Sequence, residues 1–413
     1  MIFKIITLGC KLNFAESSAL GKVLLDKGHT RAKAGEQADL CIVNTCSVTD
    51  TADQKDRQAI HRIKRENPHA RVIVTGCYAA LKPKEIASMI EVDHVIPKDL
   101  NTYHPAYSRD DRTRCFLKIQ DGCNYFCTYC TIPFARGRSR NGSIESIVAQ
   151  ARQALQEGAK EIVLTGVNIG DFGHSTNETF LDLLKQLDQL STTAEGATTL
   201  HSTLSTLNYR VRISSCEPNL LTDEIIDFVA NSKHFAPHFH IPLQSGSDEM
   251  LRIMHRHYDT ALFRERIEHI HRVMPHAFIG VDCMVGVRGE TEAIWEEYKQ
   301  FISSLPVSQL HVFTYSERAN TKMLTMDLEV VPMKVRHQRS EELHKISEAK
   351  LKAFYEENKG HKATVLWESK KVHPTPLPLS PSTPIMCGFT ENYIKVSRPY
   401  DKTKVNTFET III

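Results

Sequence analysis

The sequence predicts an α/β protein in three parts: an open parallel α/β domain, a central partial barrel of six β/α units, and a small C-terminal β-barrel. Three observations carry this. Apolar runs of strand length alternate with helical periodicity over most of the 413 residues. A polar, proline-containing stretch, KDLNTYHPAYSRDDRTR at 98–114, interrupts that alternation once. After Gly360 the pattern changes to short strands separated by turn residues. The expected parts are therefore 1–97, a linker 98–114, 115–357, and 358–413.

Composition places few limits on function. With 41% hydrophobic and 24% charged residues the chain reads as an ordinary globular protein. No apolar run reaches membrane-spanning length, and MIFKIITLGC lacks the apolar region of a signal peptide, so the expectation is a cytoplasmic protein without a membrane partner. A net charge of +2 means that a polyanion would have to be met by local basic patches. Eleven cysteines, an odd number in so long a chain, favour metal binding or catalysis over crosslinks.

In the first part, runs at 3–8, 40–43 and 72–74 read as parallel strands, with helical patterns at 16–27 and 53–66 between them. A cysteine follows each strand: Cys10 in TLGC, Cys46 in VNTC, Cys77 in VTGC. The carboxyl ends of strands form the ligand-binding edge of an open parallel sheet, so these three thiols should converge on a cluster. The plainer alternative is three core cysteines at strand ends by chance. Gly9 and Gly76, each directly before a thiol, weaken it, because glycine permits tight turns. Cys41, inside a strand, reads as core.

The second part opens with a strand at 115–119 and the loop DGCNYFCTYC, which sets Cys123, Cys127 and Cys130 in a CxxxCxxC array. Gly122 and Asn124 favour a loop that wraps a metal group. Iron-sulfur clusters usually take four cysteines, so three close ligands suggest a [4Fe-4S] cluster with one iron left open for a small molecule. A structural zinc site completed by a remote cysteine, or three unrelated thiols, are the alternatives. Cys115 lies in the preceding strand and folds back poorly onto the loop.

Further strands are predicted at 161–164, 209–213, 238–241, 277–283 and 309–313, with helices at 144–157, 223–230, 261–273 and 292–304. Glycine-rich or polar segments follow these strands: TGVNIGDFG, SSCEP, LQSGSD and VGVRGET. Singly each is an ordinary turn; four beside a cluster loop suggest a nucleoside pocket. Tyr129 is placed either to stack on an adenine or to shield the cluster. The low-complexity tract 191–205 reads as a polar surface loop.

Taken together, these motifs resemble a known family. CxxxCxxC after the first barrel strand is similar to the radical S-adenosylmethionine (SAM) superfamily, and three upstream cysteines in GC, NTC and GC contexts resemble its methylthiotransferases. NTCSVTDTADQK, DGCNYFCTYCTIPFARGRSR and HIPLQSGSDEMLRIMHRHY all carry the likeness. The continuation IPFARGRSR looks most like the branch that modifies N6-threonylcarbamoyladenosine at position 37 of tRNA. The isopentenyladenosine and ribosomal-protein branches usually differ after RG.

The resemblance implies two [4Fe-4S] clusters and SAM. SAM on the open iron of the Cys123/Cys127/Cys130 cluster would be cleaved to methionine and a 5′-deoxyadenosyl radical, needed because carbon 2 of adenine has no acidic proton. The cluster on Cys10, Cys46 and Cys77 would present the methylated sulfur. Gly166, Asn168, Gln244, Ser245, Gly246, Gly286 and Glu290 would line the SAM site with Tyr129. Partners would be a tRNA anticodon loop with its target base splayed out and an electron donor of flavodoxin or ferredoxin type. Two departures stand out: Arg288 where a proline is common, and ANT at 319–321 where PGT is usual.

Basic residues for phosphate contact are Arg136, Arg138 and Arg140 after the cluster loop, with Arg57, Arg62, Lys64 and Arg65 on a first-domain helix as the second choice. After a Lys- and Glu-rich helix at 335–357, the strands HKATVLWES, MCGFTENYIKVSRPY and NTFETIII, broken by the proline-rich loop HPTPLPLSPSTP, resemble the RNA-binding TRAM module; a plain structural cap is the alternative. Two other functional classes remain open here: a radical SAM enzyme acting on a protein or small molecule, and a noncatalytic metal-stabilised RNA-binding protein.

Overall fold

The computed structural model describes residues 1–108, 113–190, 208–372 and 384–413. The tract 191–205, part of the linker and nearly all of the proline-rich loop lie outside the described residues.

The chain begins β1 (Ile2–Thr7), α1 (Lys11–Asp26), β2 (Thr30–Arg31), β3 (Leu40–Thr45), α2 (Asp50–Glu66), β4 (Arg71–Gly76), α3 (Cys77–Leu81), α4 (Pro83–Ala87) and β5 (His94–Val95). These strands form one parallel sheet, ordered β2-β1-β3-β4-β5. Every residue of β3 is buried, as the central strand of a covered parallel sheet requires. The Thr49 hydroxyl accepts the Ala52 N–H and starts α2. Helix α1 begins five residues earlier than its periodicity predicts. The reason is tertiary: Asn13, polar in sequence, is fully buried and donates to the Leu8 and Thr45 carbonyls.

The middle of the chain runs β6 (Arg114–Lys118), β7 (Gln120–Asp121), α5 (Ile132–Arg136), β8 (Arg140–Asn141), α6 (Ile144–Gln156), β9 (Glu161–Thr165), α7 (Phe180–Asp188), β10 (Arg210–Ile213), α8 (Asp223–Asn231), β11 (His238–Gln244), α9 (Asp248–Ile253), α10 (Thr260–Val273), β12 (Phe278–Val285), α11 (Glu292–Ser304) and β13 (Gln309–Thr314). Two parallel sheets, β6-β9-β10 and β11-β12-β13, meet through bridges at Val211–Phe235 and Ser215–His240. Six parallel strands thus make an arc with β6 and β13 at its open edges. Helix α7 was not among the predicted helices; it buries Phe180, Leu183, Leu184 and Leu187.

Helix α1 packs along β6, where Ala15 joins Ala106, Phe116 and Val163 in one apolar cluster. After α12 (Met333–Glu357), strands β14 (Lys362–Val372), β15 (Ile385–Phe389), β16 (Lys395–Pro399) and β17 (Phe408–Ile412) form an antiparallel sheet ordered β16-β15-β14-β17. That sheet docks below the arc. Glu161 is fully buried between Arg210 and Arg212, and both guanidiniums reach on to carbonyls of the C-terminal sheet and its turn, Thr364, Phe389, Thr390 and Glu391. Among the described residues no helix is long and apolar enough to cross a membrane.

Candidate active site

Strands β1, β3 and β4 run in register, with Thr7 opposite Asn44 and Thr45 opposite Gly76, so the turns that follow them open on one edge. Those turns carry Cys10, Cys46 and Cys77. Gly9 (φ +95°) and Gly76 (φ +101°) are in the left-handed region. A Cβ on Gly9 would lie 2.6 Å from Cys46 Cβ and 2.8 Å from its sulfur; one on Gly76 would lie 2.4 Å from the Thr45 backbone. Glycine is therefore what lets the three turns close together.

Cys10 is exposed, Cys46 and Cys77 are buried. Burial pushes the Cys46 thiol up to about 12, and the neighbouring Cys77 and Cys10 add to the shift. Burial raises Cys77 too, against Arg136 and Lys98, which favour its thiolate. With Cys10 beside them, two buried thiols that resist ionisation form a donor set that a positively charged metal group would stabilise.

The loop after β7 holds the other three. Gly122 (φ +70°) sits so close to the returning chain that a Cβ would meet the Arg138 carbonyl at 2.0 Å. Cys123 N–H donates to the Gly137 carbonyl at 3.1 Å, Thr128 N–H to Met254 at 3.2 Å, and Met323 N–H to Thr128 at 2.8 Å, which anchors the loop on three sides. Burial pushes Cys123 and Cys130 up to about 12, with Cys127 the shared thiol neighbour. Arg256, whose guanidinium is ion-paired with Glu217, donates from Nη1 to Cys127 Sγ at 3.1 Å. Among the described residues no three His, Cys, Asp or Glu side chains are gathered as for one ion.

The segments expected to line a nucleoside pocket surround this loop. Gln120, not singled out in the sequence, ties them together: its Nε2 donates to the Asp121 and Gly122 carbonyls, and its Oε1 accepts from Val167 and Asn168 N–H at 2.9 and 3.0 Å. Gly166 is the close-approach point, since a Cβ there would lie 2.9 Å from the Gln120 carbonyl. Asn168 is buried; its amide lies against the Tyr125 hydroxyl and is otherwise unmatched among the described residues. Gln244 adopts φ +65° and leaves its Oε1 equally unmatched. Buried polar atoms are nearly always paired, so these amides fit a polar ligand such as SAM.

Ser245 and Gly246 are buried. Gly286 (φ +75°) donates its N–H to Glu290 Oε1 at 2.9 Å, and the same carboxylate pairs with Arg339 at 2.8 Å, so Glu290 shapes its loop from behind. Tyr129 sits in an apolar cluster with Met250, Met254, Val287 and Met323, its hydroxyl 3.4 Å from Arg256 Nη1. Arg288 donates to both Glu317 oxygens at 3.1 Å, which accounts for the residue that replaces a proline.

The segments that carry the two cysteine sets pack against one another. Helix α3, which starts at Cys77, packs against α5, which follows Cys130. Arg318, beside the ANT departure, donates to the Ser47 carbonyl and hydroxyl and to Asp53, and so joins the barrel's last strand turn to the residue after Cys46.

Comparison with known proteins decides the family. Residues 2–97 match "Uncharacterized protein family UPF0004" and residues 117–302 the radical SAM superfamily. The threonylcarbamoyladenosine tRNA methylthiotransferase MtaB of Bacillus subtilis is 34% identical over 94% of this chain and 88% of its own. The chain belongs to the MtaB family of tRNA methylthiotransferases. The Aquifex aeolicus member is 32% identical over 95% of each chain, and the tRNA-2-methylthio-N(6)-dimethylallyladenosine synthase of Desulfitobacterium hafniense is 28% identical over 99% of this chain and 94% of that one. The fold is shared with the radical SAM methyltransferase TsrM of Kitasatospora setae, at TM-score 0.53 and 13% identity over 78% and 76% of the two chains. MtaB family membership brings SAM and two [4Fe-4S] clusters as cofactors.

Within this MtaB family member the predicted RNA contacts need correction. Arg136 is 1% exposed and bound to Asp121, Glu16 and Asn13. Arg140 is buried too, donating to the Thr102, Arg136 and Asp99 carbonyls. Both hold the cluster loop together and offer nothing to phosphate. Arg138 alone of the three is exposed, its guanidinium 5.3 Å over the ring of Phe126. On α2, Arg57 is engaged with Tyr78 and Lys64 with the Ala70 carbonyl, while Arg62 and Arg65 are exposed along a groove with Lys55 and His61.

Proposed function

We propose that this enzyme adds a methylthio group to carbon 2 of N6-threonylcarbamoyladenosine at position 37 of tRNA. The observation that supports the reading is that the segments carrying the two three-cysteine sets pack against one another, with the unmatched amide atoms of Asn168 and Gln244 beside the second set. In this reading Cys123, Cys127 and Cys130 hold the cluster that binds SAM, and Cys10, Cys46 and Cys77 hold the cluster that carries the transferred sulfur. Bound there, the cofactors supply the radical chemistry and the methylthio sulfur, which no side chain can provide.

The chain's own residues position and enclose. Asn168 and Gln244 supply hydrogen bonds to SAM, Gln120 fixes the Gly166–Asn168 turn against the cluster loop, and Tyr129 with its apolar neighbours keeps water from one side. Arg256 donates to a cluster thiolate and so favours its ionised, metal-binding form. Residues 1–97 act as the methylthiotransferase domain, 98–114 as a linker, 115–357 as the radical SAM domain, and 358–413 as a TRAM-like RNA-binding domain. Arg138 is the phosphate contact nearest the cluster loop. The enzyme works in the cytoplasm with a flavodoxin- or ferredoxin-type electron donor.

The test is mass analysis of tRNA nucleosides from cells with and without the protein. The 2-methylthio derivative of threonylcarbamoyladenosine is expected only with it. Appearance of the isopentenyl derivative instead, or of no new nucleoside, overturns the reading.

A further inference from the structure

Three exposed side chains meet on the cluster loop and the segment that follows it. Phe126 stands between buried Tyr125 and Cys127, Phe134 between buried Pro133 and Ala135, and Arg138 directly before buried Ser139. Phe126 and Phe134 are 37% and 48% exposed, and their ring centroids lie 6.2 Å apart at an interplanar angle of 79°. The Arg138 guanidinium sits 5.3 Å over the Phe126 ring. Among the described residues the only other exposed phenylalanine is Phe313. A single exposed apolar side chain is ordinary, but two that touch, with a cation on one of them, form a patch.

The backbone beneath the patch is fixed. Phe126 adopts φ +49°, a left-handed conformation that a bulky residue takes only where its surroundings impose it. The residues on either side impose it: the Tyr125 ring stacks on His257 at 4.1 Å, and Cys127 Sγ accepts from Arg256 at 3.1 Å. The Cys123 N–H donates to the Gly137 carbonyl, which ties the residue before Arg138 to the same loop. These contacts hold the two rings at the surface against the general tendency of apolar side chains to be buried. Among the described residues the Arg138 guanidinium has neither an ion pair nor a hydrogen bond.

We propose that Phe126, Phe134 and Arg138 form a stacking platform for an unpaired base next to the target adenosine of the anticodon loop. The inference rests on the function proposed above. A nucleotide matches both features of the patch: its base offers a flat π face to the rings, and its phosphate an anion to a guanidinium that has no carboxylate. The near-perpendicular rings make a corner that one flat base enters with its face on one ring and its edge against the other. An acidic protein would answer the cation and leave the paired rings unexplained. Phe126 is one peptide, about 3.8 Å between Cα atoms, from Cys127, so a base held on the platform is a neighbour of the base that reaches the chemistry. Stacking is indifferent to base identity, so the platform positions the loop whatever nucleotide lies beside position 37.

The experiment uses the full-length, reconstituted enzyme and three synthetic anticodon stem-loops that carry threonylcarbamoyladenosine: one intact, one with the base on its 5′ side removed to leave an abasic sugar, and one with the base on its 3′ side removed. Wild type is expected to bind one of the two abasic loops about fivefold to a hundredfold more weakly than the intact loop. Phe134→Leu and Phe126→Leu are expected to show a similar loss on the intact loop and no further loss on that abasic loop, with the salt dependence of binding unchanged. Phe134→Trp is expected to keep the wild-type pattern. The wild-type comparison needs no variant, so a folding defect in one substitution does not shield the proposal. Equal wild-type affinity for all three stem-loops overturns it. So does an equal loss for all three in Phe134→Leu, the mark of a ring that only supports the loop. Unchanged RNA binding with slower cluster reduction by reduced flavodoxin also overturns it, as the mark of a docking site for an acidic protein. If wild type binds none of the stem-loops, the tRNA reading itself falls, and the platform with it.

Discussion

Thr131 Oγ1 donates to the Ser47 carbonyl at 3.4 Å, and this bond joins the residue after Cys130 to the residue after Cys46. The two thiol sets are thus each one peptide from a shared contact, although 84 positions separate Ser47 from Thr131. Arg318 closes the same junction from the barrel side, with Nη1 on Asp50 at 2.6 Å and Nη2 on Asp53 at 3.0 Å.

Arg318→Met leaves Asp53, 1% exposed, with Lys82 as its remaining ion pair. Removing one partner of a buried pair costs about 3–5 kcal/mol. The expected result is a lower Tm and loss of methylthio transfer, with reductive SAM cleavage retained because the cluster loop is anchored elsewhere. Equal loss of both activities would show that the contact supports the whole site rather than its alignment.

The cysteine sets should separate by readout. Cys10→Ala is expected to keep SAM cleavage and lose the methylthio product, with iron falling from about eight toward about four per chain. Cys127→Ala should abolish cleavage. Product formed at the wild-type rate by Cys10→Ala would remove that set from the sulfur-carrying role.

Arg256 places a guanidinium proton on Cys127 Sγ. A hydrogen bond and a positive charge at a cluster sulfur stabilise the more negative, reduced cluster. Arg256→Gln is expected to lower the midpoint potential of that cluster by on the order of 50–100 mV, read by a redox titration followed by electron paramagnetic resonance.

Glu16 on α1 meets Arg136, Lys118 and Lys98 at the junction of the first two parts. Burial alone would raise its pKa; the three cations outweigh it and hold the carboxyl at about 2, below its ordinary 4.5. A depressed carboxylate stabilises the fold at pH above the unfolded value, and that contribution is lost as pH falls from about 4.5 to about 2. Glu16→Gln should therefore unfold more easily at neutral pH and show less further loss in that acid window, measured by denaturant midpoint against pH.

Arg138→Ala should weaken anticodon stem-loop binding severalfold and reduce the slope of log affinity against log salt by about one, as for loss of a single phosphate contact. Changes at Arg136 should appear in Tm instead, because its donors are spent on Asp121 and Glu16.

Spacing within the chain made much of the site legible. CxxxCxxC is local, and a cysteine after each of three parallel strands converges by a general property of such sheets. The basic run RGRSR misled because one strand of sequence does not reveal which arginines turn inward. Arg136 and Arg140 look like Arg138 until Asp121 and Glu16 arrive from elsewhere in the chain. Gln120 had no signal, since its importance lies in bonding two loops 47 positions apart. Helix α7 was overlooked beside the low-complexity tract, although its leucines carry a helical period.

What the sequence determined by itself was the chemistry: six cysteines in two sets, the alternation that builds parallel strands, and the family to which the motifs belong. Only the tertiary structure decided what those residues face. Whether a cation is spent or exposed depends on partners from distant elements: Arg136 meets Glu16, 120 positions away, while Arg138, two residues further on, stays at the surface.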